Sequence, residues 1–176
     1  MSKNDNNQSR DEKDVVEYLR VIDYERCIGC ETCESVCSFL HDGHAYIKLF
    51  EISRGFLRPI SCFHCRRAPC IVACPTGAMQ RDKDGAVYVD ESRCIGCLAC
   101  LAACPFGIPT LSSITKTAVK CDLCMDLRKK GLEPACYAMC PSDAILYGKT
   151  ENIFKTLQRR ALIKVIGYRY ELNTQR

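Results

Sequence analysis

The apolar positions of this sequence occur in short stretches separated by polar and cysteine-rich segments, a pattern typical of short strands. Residues 15–23 are apolar enough for a strand, and residues 45–52 alternate between apolar and polar positions as a half-buried strand does. Residues 144–147 predict another strand. An Asp-Gly pair within residues 78–89 lies between apolar segments, which predicts a β-hairpin.

The two ends of the sequence differ from this pattern. Residues 2–14 contain no apolar side chain, so residues 1–14 are expected to form a disordered tail. Apolar side chains recur at helical spacing within residues 150–170, where Thr150 stands at the expected N-cap. This helix could pack on its own domain, dock on a partner or another copy, or lie on a membrane surface.

An internal repeat is visible in the sequence. Residues 22–30 and 89–97 are identical at six of nine positions, and both segments end in Arg-Cys-Ile-Gly-Cys. A repeat of this kind predicts a duplicated module.

Composition points to the cysteines as the chemistry-bearing residues. The 176 residues include 16 Cys and no Trp, and aromatic residues make up 8% of the total, so something other than aromatic bulk should help to fill the interior. The cysteines form four groups with none left over. The groups are Cys27, Cys30, Cys33 and Cys37; Cys62, Cys65, Cys70 and Cys74; Cys94, Cys97, Cys100 and Cys104; and Cys121, Cys124, Cys136 and Cys140.

The third group, followed by Pro105, has the spacing C-x2-C-x2-C-x3-C-P of bacterial ferredoxins. A loop with a cysteine at every third residue can bind three corners of a cubane [4Fe–4S] cluster, and the fourth cysteine of the run ligates a second cluster. We expect that fourth cysteine at the start of a helix. Gly29 and Gly96 should let the backbone approach closely.

Groups two and three are joined by the predicted hairpin and should form one pair, which leaves groups one and four as the outer pair. Exchange of the fourth ligand within each pair then predicts four cluster sites. Their ligands are Cys27, Cys30, Cys33 and Cys140; Cys121, Cys124, Cys136 and Cys37; Cys62, Cys65, Cys70 and Cys104; and Cys94, Cys97, Cys100 and Cys74.

Two other uses of cysteine fit the pattern less well. Zinc ribbons use two separated C-x2-C knuckles, and one tetrahedral ion does not need a triple C-x2-C-x2-C run. A disulfide scaffold is typical of a smaller, secreted protein. No apolar run approaches the roughly 20 residues that span a membrane, and the start shows no secretory signal. We therefore expect a cytoplasmic protein without a membrane span, in a reducing compartment.

The formal net charge of +4 is uneven, since seven basic and two acidic residues follow Gly148. Metal-bound thiolates would make the net charge of residues 1–148 negative. No basic face with interleaved aromatic residues accompanies the positive charge. Nucleic acid is therefore not an expected partner.

The charged and histidine side chains near the cysteines receive no catalytic role. The histidines are His41, His44 and His64. We interpret His64 as an ordinary surface or supporting residue, with tuning of a cluster potential as the alternative. Lys120 and Asp122, on either side of Cys121, are interpreted as solvated or supporting residues.

With the four groups in this order, residues 18–148 resemble the four-cluster iron–sulfur subunits of the dimethyl sulfoxide reductase family. Relatives of this type serve formate dehydrogenases, hydrogenases, carbon monoxide dehydrogenases and tungsten aldehyde oxidoreductases. The resemblance implies four [4Fe–4S] clusters in series. The sequence lacks long insertions and a C-terminal anchor, as the compact soluble members do. Cys97 occupies a position that is replaced in relatives with a three-iron cluster, so we expect four cubanes.

The predicted fold is α+β, with an inner ferredoxin-like half inserted in an outer one and short hairpins and helices around the clusters. The outer half comprises residues 15–61 and 105–149, the inner half residues 62–104, and a basic C-terminal helix or tail residues 150–176.

The predicted function is electron transfer through four [4Fe–4S] clusters, with no substrate site of its own. The expected partner is a catalytic subunit: a molybdenum or tungsten enzyme, a hydrogenase or a carbon monoxide dehydrogenase. A flavin subunit or a ferredoxin is a further redox partner, and self-association is open. The alternatives are a free, diffusible polyferredoxin and a scaffold that forms filaments through its C-terminal tail.

Overall fold

The computed structural model describes residues 18–174, and the surroundings of side chains up to residue 167. The tail predicted over residues 1–14 lies outside the described residues. The helices are α1 (Thr32–Leu40), α2 (Pro69–Val72), α3 (Ala99–Ala103), α4 (Met125–Lys129), α5 (Ala135–Ala138) and α6 (Thr150–Thr174). The strands are β1 (Tyr18–Ile22), β2 (Ile47–Ser53), β3 (Phe56–Ser61), β4 (Met79–Arg81), β5 (Val87–Val89), β6 (Thr110–Leu111), β7 (Ala118–Val119) and β8 (Ile145–Lys149).

The strands within these residues form four separate two-stranded antiparallel sheets. Three of them are hairpins of consecutive strands, β2–β3, β4–β5 and β6–β7. The fourth sheet pairs β1 with β8, so that Tyr18 lies opposite Lys149 and Ile22 opposite Ile145. This last pairing joins segments that are far apart in sequence and brings the first and fourth cysteine groups to one end of the molecule.

The strands predicted near residues 15–23, 45–52 and 144–147, the hairpin over residues 78–89 and the helix from Thr150 are all confirmed. The pattern did not predict β6 and β7. These two-residue strands are too short to produce a periodic signal, and they pair because a turn closed by Ser112 and Thr117 brings them together, with the Ser112 N–H donating to the Thr117 carbonyl at 2.9 Å.

The short helices begin at a constant place relative to the cysteines. The third cysteine of each group is in each case the second residue of a helix; these are Cys33, Cys70, Cys100 and Cys136. The prediction that the fourth cysteine starts a helix is therefore wrong. The spacing C-x3-C spans one helical turn, about 6 Å of rise, so the fourth thiol lies one turn further along or just past the helix end.

Cysteine sulfur makes up much of the interior. The described core consists of three small clusters of buried side chains, and each of them combines cysteines with aliphatic residues such as Val87, Ile47 or Leu123. The expectation from the low aromatic content is thereby confirmed, because thiol groups occupy positions that aromatic rings fill in other small proteins.

Helix α6 packs on the rest of the fold at its beginning and extends beyond it. Ile153 is buried against β8, and Arg160 forms an ion pair with Asp23 at 3.0 Å. Further along, apolar side chains face solvent: Leu162 and Ile166 are 58% and 59% exposed. The first turns of α6 thus pack on their own domain, whereas the later turns present apolar residues that the other described residues leave uncovered.

Arg128 in α4 connects two distant parts of the fold. Its guanidinium donates to Asp82 at 2.5 Å and to Asp84 at 2.7 Å, both in the turn of the β4–β5 hairpin. It also donates to the carbonyls of Leu123 at 2.9 Å and Asp122 at 3.2 Å in the fourth cysteine group. With a side chain only 6% exposed, Arg128 holds this loop against the hairpin.

We expect Arg128→Met to lower the free energy of unfolding by about 3 kcal/mol, because it leaves two carboxylates without their buried partner. Lys129→Met is the matched control: it removes an adjacent, exposed ion pair with Asp126, which contributes less than about 1 kcal/mol. Denaturant unfolding under argon measures both. Equal effects of the two substitutions would contradict the role of Arg128.

Candidate metal centres

Two cavities of the structure are lined by cysteines from distant parts of the sequence. The first is lined by Cys27, Cys30, Cys33 and Cys140, together with Gly29 and Pro141. The second is lined by Cys37, Cys121, Cys124 and Cys136, together with Leu123 and Pro134. Each cavity therefore combines cysteines of groups one and four.

Cysteines of groups two and three also meet. Four of them, Cys70, Cys74, Cys94 and Cys100, belong to one core cluster. Burial raises the pKa of Cys70, and the negative charges of Cys62 and Cys104 raise it further. Burial likewise raises the pKa of Cys100, whose charged neighbours are Cys94 and Cys74. The third core cluster brings Cys62 of group two against Cys121 of group four.

One backbone conformation recurs in all four groups. The residue immediately before the second cysteine is left-handed in each: φ is 70° at Gly29, 48° at His64, 69° at Gly96 and 58° at Leu123. A left-handed residue turns successive N–H groups toward one concave side, which suits an anionic centre. The glycines signalled this turn in the sequence. His64 and Leu123 did not, because their conformation is held by tertiary packing, with both side chains buried.

The glycines allow a close approach, as predicted, but the closest neighbour described is another backbone segment of the same protein. A Cβ atom at Gly96 would clash with the carbonyl oxygen of Lys116, and one at Gly29 would lie 3.2 Å from the carbonyl oxygen of Leu57. Each of these two cysteine loops is thus pressed against a second backbone segment that covers it.

Backbone N–H groups point at the cysteine sulfurs. The N–H of Tyr46 donates to Cys37 Sγ and that of Ala118 to Cys94 Sγ, both at 3.2 Å. Burial raises the pKa of Cys140, but hydrogen bonds from nearby N–H groups, such as that of Ile145, outweigh it, so that this pKa is lowered. Such donors stabilise sulfur in its negatively charged, metal-binding form.

Burial works against that form at other cysteines. It raises the pKa of Cys33 and Cys124 to about 12 and that of Cys37 to about 11. A buried thiol with such a pKa is neutral at pH 7, and metal coordination is what deprotonates it outright. The donor set therefore fits iron–sulfur clusters, each of which is held by four cysteine thiolates.

Two buried donors near the cysteines have no hydrogen-bond partner within residues 18–167. His64 Nδ1 accepts the Val87 N–H at 2.9 Å, so the ring proton belongs on Nε2, which is buried and without a partner. Arg20 Nε is likewise buried without a hydrogen-bond partner among the described residues. Cluster or thiolate sulfur beside these atoms would satisfy both donors. Burial excludes the surface alternative for His64, since only 6% of the residue is exposed, and leaves the supporting and potential-tuning alternatives.

No group of three or more His, Cys, Asp or Glu side chains within the described residues converges on a point where one metal ion could bind. A cubane instead takes one thiolate on each of four separate irons, and the two cavities each offer four thiols along their walls.

Comparison with known proteins identifies the type of these centres. Residues 54–150 match the family model described as a 4Fe-4S dicluster domain, and residues 20–39 match a 4Fe-4S binding domain. The sequence is 42% identical to the thiosulfate reductase electron transfer subunit PhsB of Salmonella typhi, over 77% of this protein and 78% of that one. The protein belongs to this family of ferredoxin-like iron–sulfur subunits.

Two further relatives are also subunits of oxidoreductases. The sequence is 34% identical to the B subunit of the anaerobic dimethyl sulfoxide reductase of Escherichia coli, over 80% of this protein and 78% of that one. It is 35% identical to the nitrate-inducible formate dehydrogenase iron–sulfur subunit of Escherichia coli, over 93% of this protein and 64% of the relative. Both matched models describe 4Fe-4S domains, and sixteen cysteines are the number of thiolates that four [4Fe–4S] clusters require.

None of the helices within residues 18–174 is long and apolar enough to cross a membrane.

We expect Gly96→Ala to speed the thermal loss of the visible iron–sulfur absorbance under argon, because the new Cβ would force Lys116 away from the third cysteine loop. Gly131→Ala is the matched control: its φ is +75° and nothing lies within 4 Å of its Cβ position, so it carries only the left-handed strain of about 1 kcal/mol. Equal bleaching rates in the two variants would contradict the importance of this contact.

Proposed function

We propose that this protein relays single electrons through four [4Fe–4S] clusters, between a catalytic subunit and a second redox partner in a multi-subunit oxidoreductase. The observation that carries the proposal is the pair of cavities that are each lined by four cysteines drawn from groups one and four. Bound clusters supply one-electron chemistry there. The polypeptide supplies the ligands, the N–H donors and the burial that exclude water and set the potentials.

We infer the ligand sets from which cysteines lie together. The two cavities support Cys27, Cys30, Cys33 and Cys140 as one set and Cys37, Cys121, Cys124 and Cys136 as another. The charge interactions of Cys70 with Cys62 and Cys104 support a third set completed by Cys65. Those of Cys100 with Cys94 and Cys74 support a fourth set completed by Cys97.

These sets imply an inner ferredoxin-like half inserted in an outer one, with the boundaries predicted from the sequence. The pairing of β1 with β8 supports this arrangement, because it closes the outer half across residues 62–104. The contact of Cys62 with Cys121 in one core cluster supports a junction between the halves at which two cluster sites are neighbours. The four sites then follow one another as a relay.

The partner is a catalytic subunit of a related kind. Relatives are named as subunits of thiosulfate reductase, dimethyl sulfoxide reductase and formate dehydrogenase, which favours a molybdenum or tungsten enzyme over a hydrogenase or carbon monoxide dehydrogenase. A flavin subunit or a ferredoxin would complete the path. Cytoplasmic localisation stays a prediction, based on the reduced thiols that the clusters require.

The uncovered apolar residues of α6, such as Leu162 and Ile166, favour stable association over a freely diffusing polyferredoxin. The same surface suits a scaffold that assembles through its C-terminal tail, and that role is compatible with electron transfer.

Anaerobic purification from the native host tests the function. We expect about 16 iron atoms and about 16 sulfides per protein molecule, since each of four cubanes holds four of each, and co-elution with a larger oxidoreductase subunit. A lone 19.8 kDa species with clusters would favour the polyferredoxin, and long assemblies of this protein alone would favour the scaffold. A preparation without iron would overturn the proposal.

Cys140→Ser tests the exchange of fourth ligands. We expect it to alter the same electron paramagnetic resonance signal as Cys33→Ser, because these residues share a cavity. Cys136→Ser, in the same group as Cys140, should alter a different signal. If Cys140→Ser and Cys136→Ser changed one and the same signal, each group would bind its own cluster and the exchange would be wrong.

A further inference from the structure

Two cationic side chains are buried at the junction between the two halves. As whole residues, Arg20 is 9% exposed and Lys120 is 5% exposed. The side chain of Arg128 is buried as well, but it has two acidic partners, Asp82 and Asp84. Lys120 is therefore not solvated, which leaves the other alternative given for it, that of a supporting residue. Neither side chain is a cluster ligand, and the electron-transfer function by itself gives neither of them a role.

Arg20, in β1, contacts both halves of the protein at once. Its Nη1 lies 3.7 Å from Cys121 Sγ and 4.0 Å from Cys136 Sγ, in the second cavity. Its Nη2 donates to Ser61 Oγ at 2.5 Å and to the carbonyl of Cys62 at 2.8 Å. The guanidinium is thus fixed between a site of the outer half and the first cysteine of the inner half.

Lys120 lies on the other side of the same junction. Its Nζ donates to the carbonyls of Val87 and of Cys121, the latter at 3.0 Å. Val87 belongs to the same core cluster as Cys70, and Cys121 packs against Cys62 in another core cluster. These contacts place the lysine beside the group-two cysteines Cys62 and Cys70. Its positive charge also lowers the pKa of both thiols, against the effect of burial.

Neither cation has an acidic partner. Within the described residues, no carboxylate forms an ion pair with Arg20 or Lys120, although burying an unpaired charge costs several kcal/mol. Among the residues that the structure describes, Arg20 Nε has no hydrogen-bond partner. A negative charge must therefore lie beside these groups when the protein is complete, and the thiolate-bound centres at the junction supply it.

We propose that Arg20 and Lys120 raise the reduction potentials of the two neighbouring clusters at the junction, Arg20 acting on the cluster of Cys121 and Cys136 and Lys120 on that of Cys62 and Cys70. The proposal rests on the proposed function. Each reduction adds one electron, and hence one negative charge, beside a second anionic cluster. A buried cation on each side offsets that repulsion and holds both sites reducible, so that electrons cross from one half to the other.

The test compares the midpoint potentials of all four clusters in the complete, anaerobically prepared protein, by dithionite titration followed with electron paramagnetic resonance. Arg20→Met should lower the midpoint potential of one cluster. At a fixed potential the ratio of reduced to oxidised cluster should fall about tenfold, which corresponds to a shift of about 59 mV for one electron. Lys120→Met should lower a different midpoint most. Arg20→Lys, which keeps the charge, should stay closer to the parent.

Arg66→Met is the matched control, because Arg66 follows a group-two cysteine but is exposed to solvent. It should leave all four potentials unchanged, since water screens its charge. Four intact clusters with unshifted potentials in both Arg20→Met and Lys120→Met would overturn the proposal. A parent protein without clusters would instead overturn the proposed function.

A second measurement decides the matter if Arg20→Met does not load its clusters. Pulsed electron paramagnetic resonance on the reduced parent protein, grown with ¹⁵N-arginine, should detect a nitrogen coupled to one cluster. Arg20→Lys should abolish that coupling while it retains four clusters. Absence of the coupling in the parent would overturn the role of Arg20.

Discussion

Negatively charged sulfur is costly in the interior of this protein, because burial raises the pKa of thiols such as Cys33 and Cys124 to about 12. Three features of the fold offset that cost. Backbone N–H groups donate to the sulfurs, the residue before each second cysteine turns left-handed to aim such groups, and two buried cations, Arg20 and Lys120, lie beside the second and fourth cysteine groups. Coordination to iron offsets the rest of the cost of burying thiolate sulfur, so folding and cluster binding are coupled.

This dependence explains why the secondary structure is so fragmented. A protein of this size that encloses four clusters has little room for extended sheets, and the four sheets of the described residues have two strands each. The helices that begin beside the third cysteine of each group are four to nine residues long. Isolated elements of this size are marginally stable in water. The four helices each contain a cysteine, and two of the hairpins pack against cysteine loops through Leu57 and Lys116.

Two features of the surface are suited to contacts with other proteins. Cys30 and Cys97, the second cysteines of groups one and three, are exposed, and in the proposed relay they belong to the first and last cluster sites. Exposed end sites suit a relay that receives electrons at one end and releases them at the other. The uncovered apolar turns of α6 provide a separate surface for stable assembly.

The chemistry of this protein could be predicted from local patterns. Sixteen cysteines in ferredoxin spacing, the Asp-Gly hairpin and the periodic C-terminal segment can each be recognised without knowing what packs against them. Features that depend on contacts between distant segments could not be predicted in this way. The left-handed backbone of His64 and the burial of Arg20 and Lys120 carry no local signal, because they arise from the meeting of β1, β5 and the fourth cysteine group.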